Sequence, residues 1–460
     1  MPSKKRPRPK IKFFSYFGKP VAEYRGRGYL IDQSGERFYC GFALAQFGDG
    51  GVLMYCHSAR PLPPVKYQGW DHFQGRTSQG LEVVVAGPLH ATNVTFEGKK
   101  IEFCFIARSA TIQHAQNETI RHVMYGITNF VFYPHPSMDI LINNPIGKIQ
   151  VRPRDGYREA TERLGILKQT EVTCNFLLDV QPDIPLETYD EAISSICYLL
   201  SLSQGTKIQW VYRMAFGESQ RISTYHASHI TKTYSTFRVI RSTDIPAIKM
   251  FVEQAYTEIV SGKYDTQSVW NVIDACLDAK ADEDYLEARG AKLVVVMEML
   301  KELFLATPDV DVKETIIDGE IFERILPKIQ DAIKEALKDD VDIERDKKHS
   351  LYQAGKLYAL NRTSFRSMIK KFCSYIGLSI RKVDIELFVA CRNSLVHQGR
   401  FYCSTATDEE RQRCPPLPDQ ISEYLFLLHF LDKVLLKLVG YSGSYVDWSE
   451  FSNPKDDILE

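Results

Sequence analysis

Residues Asp384 to Phe401 read DIELFVACRNSLVHQGRF, and the rest of the chain is best read outward from them. Helix-compatible residues run without Pro or Gly from Ser379 to Gln398, and Gly399 stands where a helix C-cap belongs. One helix is expected. At about 100° per residue, Leu387, Phe388, Cys391 and Leu395 form one apolar stripe, while Ile385, Val389, Arg392, Asn393, Val396 and His397 fall on a second, mixed face. Both faces call for burial. Asn393 and His397 stack one turn apart, and Arg392 sits about 140° round from His397, so its long side chain must reach back to join them. Arginine supplies a permanent planar charge for a phosphate, and histidine accepts and gives a proton near neutrality. Together they are a minimal set for phosphodiester cleavage without a metal.

The same arginine-to-histidine spacing recurs at Arg221 and His226, in a Thr/Tyr/Ser-rich segment that reads as strand or loop. Spacing alone does not separate the two pairs; context does. Helices are expected over 244–261, 266–280, 284–306, 319–338, 340–360, 364–377, 379–398 and 418–440, with Pro327 breaking or kinking the fourth. Within the third, LVVVMEMLKELFL (Leu293 to Leu305) is apolar nearly all round and reads as the buried central helix of a bundle. Glu298 stands inside it, either orienting Arg392 or His397 or pairing with a surface base. Lys370, Lys371, Arg381, Lys382 and Arg400 flank the Arg392 helix and are candidate contacts for an RNA backbone, against the alternative of ordinary solvated charge. The 402–418 connection is long for a bundle and reads as a mobile loop near the site.

Upstream, runs such as FYCGFALA, GLEVVVAG, KIEFCFIA, ITNFVFYP and VTCNFLLDV alternate with turn residues and read as strands, with hairpins at 32–36 and 96–100. A β-sandwich or barrel-like domain is expected. Tyr16, Phe17, Tyr24, Tyr29, Trp70 and Phe73 include candidate stacking residues, although aromatics of an all-β domain mostly fill cores or cross-strand pairs. Thr188 to Glu191 read as a capping box opening a helix that Gly205 closes, and 207–214 and 223–233 read as strands beyond it. The expected order is a basic disordered leader (1–12), a β-rich sensing or substrate domain (13–185), a mixed connecting segment (186–243), an α-helical domain (244–450) and a tail (451–460).

Composition narrows the classes. The 460 residues are 44% hydrophobic and 25% charged, enough for large cores. A net charge of −1 gives no global sign of a nucleic-acid binder, so any basic surface is local. Ten cysteines without a Cys-x-x-Cys pair fit idle thiols in a reducing cytosol. His114, His122 and His135, and the pair His226 and His229, lack metal-ligand spacing, so no metal or other cofactor is expected. No apolar run is long enough to span a bilayer, which points to a cytoplasmic protein with no membrane partner.

The Arg-Asn-x3-His run at Arg392 to His397, in its helical setting, resembles the signature of HEPN (higher eukaryotes and prokaryotes nucleotide-binding) domains, and more narrowly the Apea-like HEPN group of antiphage proteins. The segment LLKLVGYSGSYVDW (Leu435 to Trp448) is similar to that group's ending. The resemblance covers about Ala281 to Trp448. It implies an α+β chain whose C-terminal half is a HEPN-like bundle, acting as an RNA endonuclease in antiphage defence, by abortive infection, on tRNA or another cellular RNA after an unknown phage trigger. In that reading His397 is general base or acid, Arg392 stabilises the pentavalent phosphate and Asn393 positions either of them. The mixed helix face and the resemblance both point to a homodimer or higher homo-oligomer, with two such helices facing each other. Two alternatives stay open: a non-catalytic HEPN-like module that binds a nucleotide or a protein, and a structural role in which His397 caps the helix and Arg392 pairs with an acid.

Overall fold

A computed structural model of the chain describes residues 20–58, 69–97, 100–113, 119–133, 138–142, 146–218, 221–227, 237–307, 315–338, 353–449 and 454–459, with 344, 347 and 350. The basic leader, Tyr16, Phe17, His114, His135, His229 and about half of the expected 340–360 helix lie outside them. The architecture is mixed α+β, a large antiparallel sheet followed by a helical region.

Fourteen strands share one sheet: β1 (Ala22–Ile31), β2 (Arg37–Gln46), β3 (Val52–Ser58), β4 (Trp70–Thr77), β5 (Glu82–Leu89), β6 (Ala91–Glu97), β7 (Lys100–Ile106), β8 (Ser109–Gln113), β9 (His122–Thr128), β10 (Met138–Ile142), β11 (Gly147–Pro153), β12 (Val172–Asp179), β13 (Trp210–Phe216) and β14 (Arg221–His226). Their hydrogen-bonded order is β10-β11-β12-β9-β13-β14-β8-β5-β4-β1-β2-β3-β7-β6. At the β1–β2 turn, Gly35 takes a φ of 82° and Asp32 Oδ1 accepts from Ser34 N and Glu36 N, both at 2.9 Å. The sheet curls on itself. Tyr24 on β1 hydrogen-bonds Tyr225 on β14 at 2.7 Å although three strands separate them in the ladder, and Gln46 Nε2 donates to Val211 O at 2.6 Å. Phe42, Phe73, Phe103 and Phe105 fill the inside of the curl. The expected sandwich or barrel is therefore a single curled sheet with β10 and β6 at its two ends. The expected strand at 127–134 stops at Thr128, because Asn129 turns with φ 58°, held by Glu171 N onto its Oδ1 and by its own Nδ2 onto Lys207 O.

The inner face of β9 to β12 packs on helices α2 (Leu186–Gln204) and α3 (Ile245–Val260), and this core runs on without a break into the helical region. Helix α1 (Tyr157–Leu167), between β11 and β12 in the chain and absent from the sequence reading, buries Ala160, Thr161 and Leu164. Helix α2 starts at Leu186, with Thr188 N bonded to Pro185 O at 3.1 Å, so Thr188 lies inside the first turn and the expected capping box does not form.

The remaining helices are α4 (Thr266–Ala279), α5 (Leu286–Leu305), α6 (Gly319–Ala336), α7 (Ala354–Leu357), α8 (Phe365–Tyr375), α9 (Lys382–Gln398), α10 (Tyr402–Thr405), α11 (Asp408–Arg413) and α12 (Gln420–Leu438). Helix α6 runs through Pro327 unbroken. Pro327 lies on its exposed side. Helix α5 buries Leu293, Val296, Met297, Leu300, Leu303 and Phe304 against α4, α8, α9 and α12, but leaves Val295 exposed. Lys280, closing α4, and Asp432, midway along α12, are 0% and 2% exposed and bond at 2.7 and 3.0 Å. A hairpin of β15 (Gly443–Asp447) and β16 (Lys455–Leu459) takes in part of the expected tail and stacks Tyr445 on His429 of α12 at 5.6 Å. Among the described residues no helix is long and apolar enough to cross a membrane.

Candidate functional site

Helix α9 is fixed by its apolar stripe. Phe388 stacks on Phe430 of α12 at 4.0 Å, Cys391 and Leu395 are buried, and Gly399 closes the helix in the left-handed conformation with its N–H on Leu395 O. Gly290 on α5 lets the helix end approach closely: a Cβ there would stand 2.9 Å from the Phe401 ring and 3.1 Å from Leu395. This packing presents the last turns of α9 toward solvent beside the segment that follows.

The three candidate residues divide. Arg392 donates from Nε to Glu298 Oε1 at 3.1 Å and from Nη2 to the same oxygen, and its guanidinium carbon sits 4.9 Å from the Phe365 ring centre. Its Nη1 donates to Asn393 Oδ1 at 3.1 Å. Arg392 is thus engaged by a carboxylate, an aromatic face and an amide, and it does not line the neighbouring cleft. Asn393 and His397 do. With Asn393 Oδ1 occupied by Arg392, its amide nitrogen is the end left for a ligand. His397 is exposed and has no hydrogen-bond partner among the described residues, so it does not cap the helix.

The cleft holds about 470 Å³. Val389 and Ala390 of α9 line it together with Arg366 of α8, and the opposite wall is the α10–α11 segment with Tyr402, Thr405, Glu410 and Arg413. That wall is formed by two short helices and a set of hydrogen bonds, where an irregular loop was expected. Glu423, fully buried on the first turn of α12, accepts Tyr402 N and Cys403 N at 2.8 Å each. Ser394 Oγ donates to Arg400 O at 2.8 Å and meets Thr405 Oγ1 at 2.7 Å. Thr407 and Glu410 form a capping box, whose hydrogen bonds hold the Glu410 carboxyl below its ordinary range. Burial pushes the Cys391 thiol well up, with Glu423 adding to it, so that cysteine is no nucleophile.

Two cations of the cleft were not singled out from sequence. Arg366 is bound to Glu386, whereas Arg413 has no acid within ion-pair distance among the described residues. The readable signal was the Thr407 to Glu410 capping box, which announces an ordered turn carrying Arg411 and Arg413. The basic residues that were singled out lie elsewhere. Arg381 is bidentate on Asp384 at 2.8 Å, and Lys382 is 4.0 Å from Glu386. Both stand at the start of α9, roughly 22 Å along the helix from His397. Lys370 and Lys371 are exposed on α8 and Arg400 is exposed past the helix end; none of the five lines the cleft.

The mixed face of α9 is partly covered within the chain. Of its apolar residues, Ile385 is 7% exposed in the main core, Val389 packs against that core, and Val396, at 41%, remains open, as do the polar Asn393 and His397. The premise that this whole face needs a second copy does not hold. Arg221 and His226 sit at opposite ends of β14, where five positions put them on opposite faces; Arg221 meets Met214 Sδ at 2.9 Å, and the His226 ring lies 4.4 Å from Trp210. The described cysteines are all free, and no group of three or more His, Cys, Asp or Glu that could hold a metal occurs among the described residues. No protein-family model, curated protein or solved structure matches the chain significantly.

Proposed function

We propose that the chain is a metal-independent RNA endonuclease of HEPN type, with its reaction centre in the cleft beside the end of α9. The observation that carries this reading is the convergence of an unencumbered histidine, His397, with Asn393 and Arg413, a cation with no acid within ion-pair distance among the described residues, on one open cleft. A ribose 2′-OH attacking its own phosphate needs a proton acceptor, a donor for the leaving 5′-oxygen and positive charge on the phosphate. His397 takes or gives the proton. Arg413 and the Asn393 amide nitrogen hold the phosphate oxygens, while Arg392, steadied by Glu298, positions Asn393. The products are a 2′,3′-cyclic phosphate and a 5′-OH, and DNA, lacking the 2′-OH, is not cut.

One protomer brings a single histidine to the cleft, and cleavage uses both an acid and a base. A homodimer that sets two His397 side chains across one groove, with exposed Val396 in the contact, belongs to the same proposal, as does a role in antiphage defence by abortive infection. The test is incubation of purified protein with labelled total RNA in EDTA, beside His397→Ala and Arg413→Ala. Cleavage is expected to survive EDTA, vanish in His397→Ala and fall at least about tenfold in Arg413→Ala. Retained cleavage in His397→Ala removes the site.

The full engagement of Arg392 favours a second reading, a non-catalytic module in which Arg392 braces α9 against α5 and the cleft binds a nucleotide or a protein anion. Binding of a labelled nucleotide that Arg413→Ala abolishes, with no RNA cleaved by the wild type, would select it.

A further inference from the structure

We propose that the outer face of β1, β2 and β4 binds single-stranded RNA, with bases stacking on Tyr29 and Tyr39. These residues stand directly opposite each other on neighbouring strands, 41% and 44% exposed, with ring centres 5.3 Å apart and planes tilted by 55°. Phe42, Trp70, Phe73 and Phe103 point inward and are buried, and Tyr55 on β3 is buried in a separate cluster with Ala43, Ala45 and Leu53. Across the sheet, Tyr29 continues into Gln74 on β4 and Val84 on β5, so one open row crosses four strands.

The next row is cationic. Arg27 faces Arg76 directly across β1 and β4, an arrangement that costs stability unless an anion answers it. Glu82 meets Arg76 at 2.9 Å, but Arg27 has no acid partner among the described residues. Arg37 lies over the Tyr29 ring at 6.0 Å and has no acid partner among the described residues. On the other side of Arg27, Gly41 lets the His57 ring fold over it, adding a third ring to the face.

Open rings in one row, flanked by Arg27 on one side and Arg37 on the other, are what a single strand requires, because its bases have free faces and its phosphates run alongside them. A duplex hides its base faces, and a protein partner would favour a broader apolar patch than two rings among Arg, Gln and Gly. The choice of RNA over DNA rests on the ribonuclease reading of the cleft; the stacking face does not.

The experiment is fluorescence anisotropy of fluorescein-labelled oligouridylate with the full chain carrying His397→Ala, in EDTA, so that binding is read without turnover. The double change Tyr29→Ala/Tyr39→Ala is expected to weaken binding at least about tenfold, whereas Tyr29→Phe/Tyr39→Phe retains it, which separates stacking from a folding defect. Arg27→Ala is expected to lower the slope of log affinity against log salt by about 0.7. Binding by the double Ala variant within about twofold of its parent, or equal competition by unlabelled duplex RNA, overturns the proposal. Failure of the ribonuclease reading appears separately, as a wild-type chain that binds the oligonucleotide and leaves it intact.

Discussion

Replacing Glu423 with Gln tests whether the cleft wall is held as the geometry implies. Its two carboxylate oxygens each take one backbone N–H at the start of α10, at 2.8 Å, inside a fully buried site. Glutamine keeps one acceptor and sets an NH2 group against the other N–H, so one charge-assisted bond is replaced by two donors facing each other. A hydrogen bond to a charged acceptor contributes about 1.5–3 kcal/mol, and a stranded buried donor costs about 1–3 kcal/mol. Because the two overlap, about 3 kcal/mol should be lost from the closure of 401–414, which at about 1.4 kcal/mol per decade is roughly a hundredfold. The rest of α12 keeps its packing through Tyr424, Leu427, Leu428 and Leu431, so the opening should be local. Hydrogen exchange by mass spectrometry reads this directly: peptides covering 401–414 should exchange faster while those covering 424–438 stay unchanged, and RNA cleavage should fall in step. Exchange at Tyr402 and Cys403 within about threefold of wild type would refute the assigned role of Glu423.

Three further outcomes follow from the same geometry. Asp432→Asn leaves the Lys280 ammonium buried without a counter-charge and should cost about 3–5 kcal/mol, while Lys280→Met combined with Asp432→Leu should melt close to wild type; a double variant no better than the single one, by thermal melting, would contradict the pairing. Burial, opposed by Asp447, holds His429 below its ordinary value of 6.5, so its contribution to stability is complete above that pH and is lost as pH falls through the folded value. Melting points measured across that window should drop more steeply for wild type than for His429→Gln. Arg221→Ala and His226→Ala should cleave RNA at the wild-type rate; loss of activity there with an unchanged melting curve would move the reaction centre to β14.

The positions of α3, α4, α8, α9 and α12 were legible because their signals are local. Asp244, Asp265, Ser364 and Asp419 each cap the helix that follows them, and Gly399 ends α9 where its sequence position indicates. What escaped depended on distant partners. The curl of the sheet is set by contacts such as Tyr24 with Tyr225, 201 positions apart, which no local pattern announces. Asn393 and His397 could be placed together from their spacing, but whether Arg392 joins them depends on Glu298, 94 residues upstream, and on the Phe365 ring. Arg413 escaped for the same reason: the segment that carries it is tied at Tyr402 and Cys403 by Glu423, a residue belonging to another helix.

The uninterrupted interior shared by β9 to β12 with α2 and α3 bears on how such a chain can change over time. Ile140, Ile149 and Phe176 on one side and Ile193, Ile196 and Phe251 on the other leave no seam at which the helical half could be traded for another without stripping a wall from both. Recombination at that boundary would yield two exposed apolar faces rather than two working parts. The sheet and the helices must therefore drift together, substitutions in one drawing matched substitutions from the other.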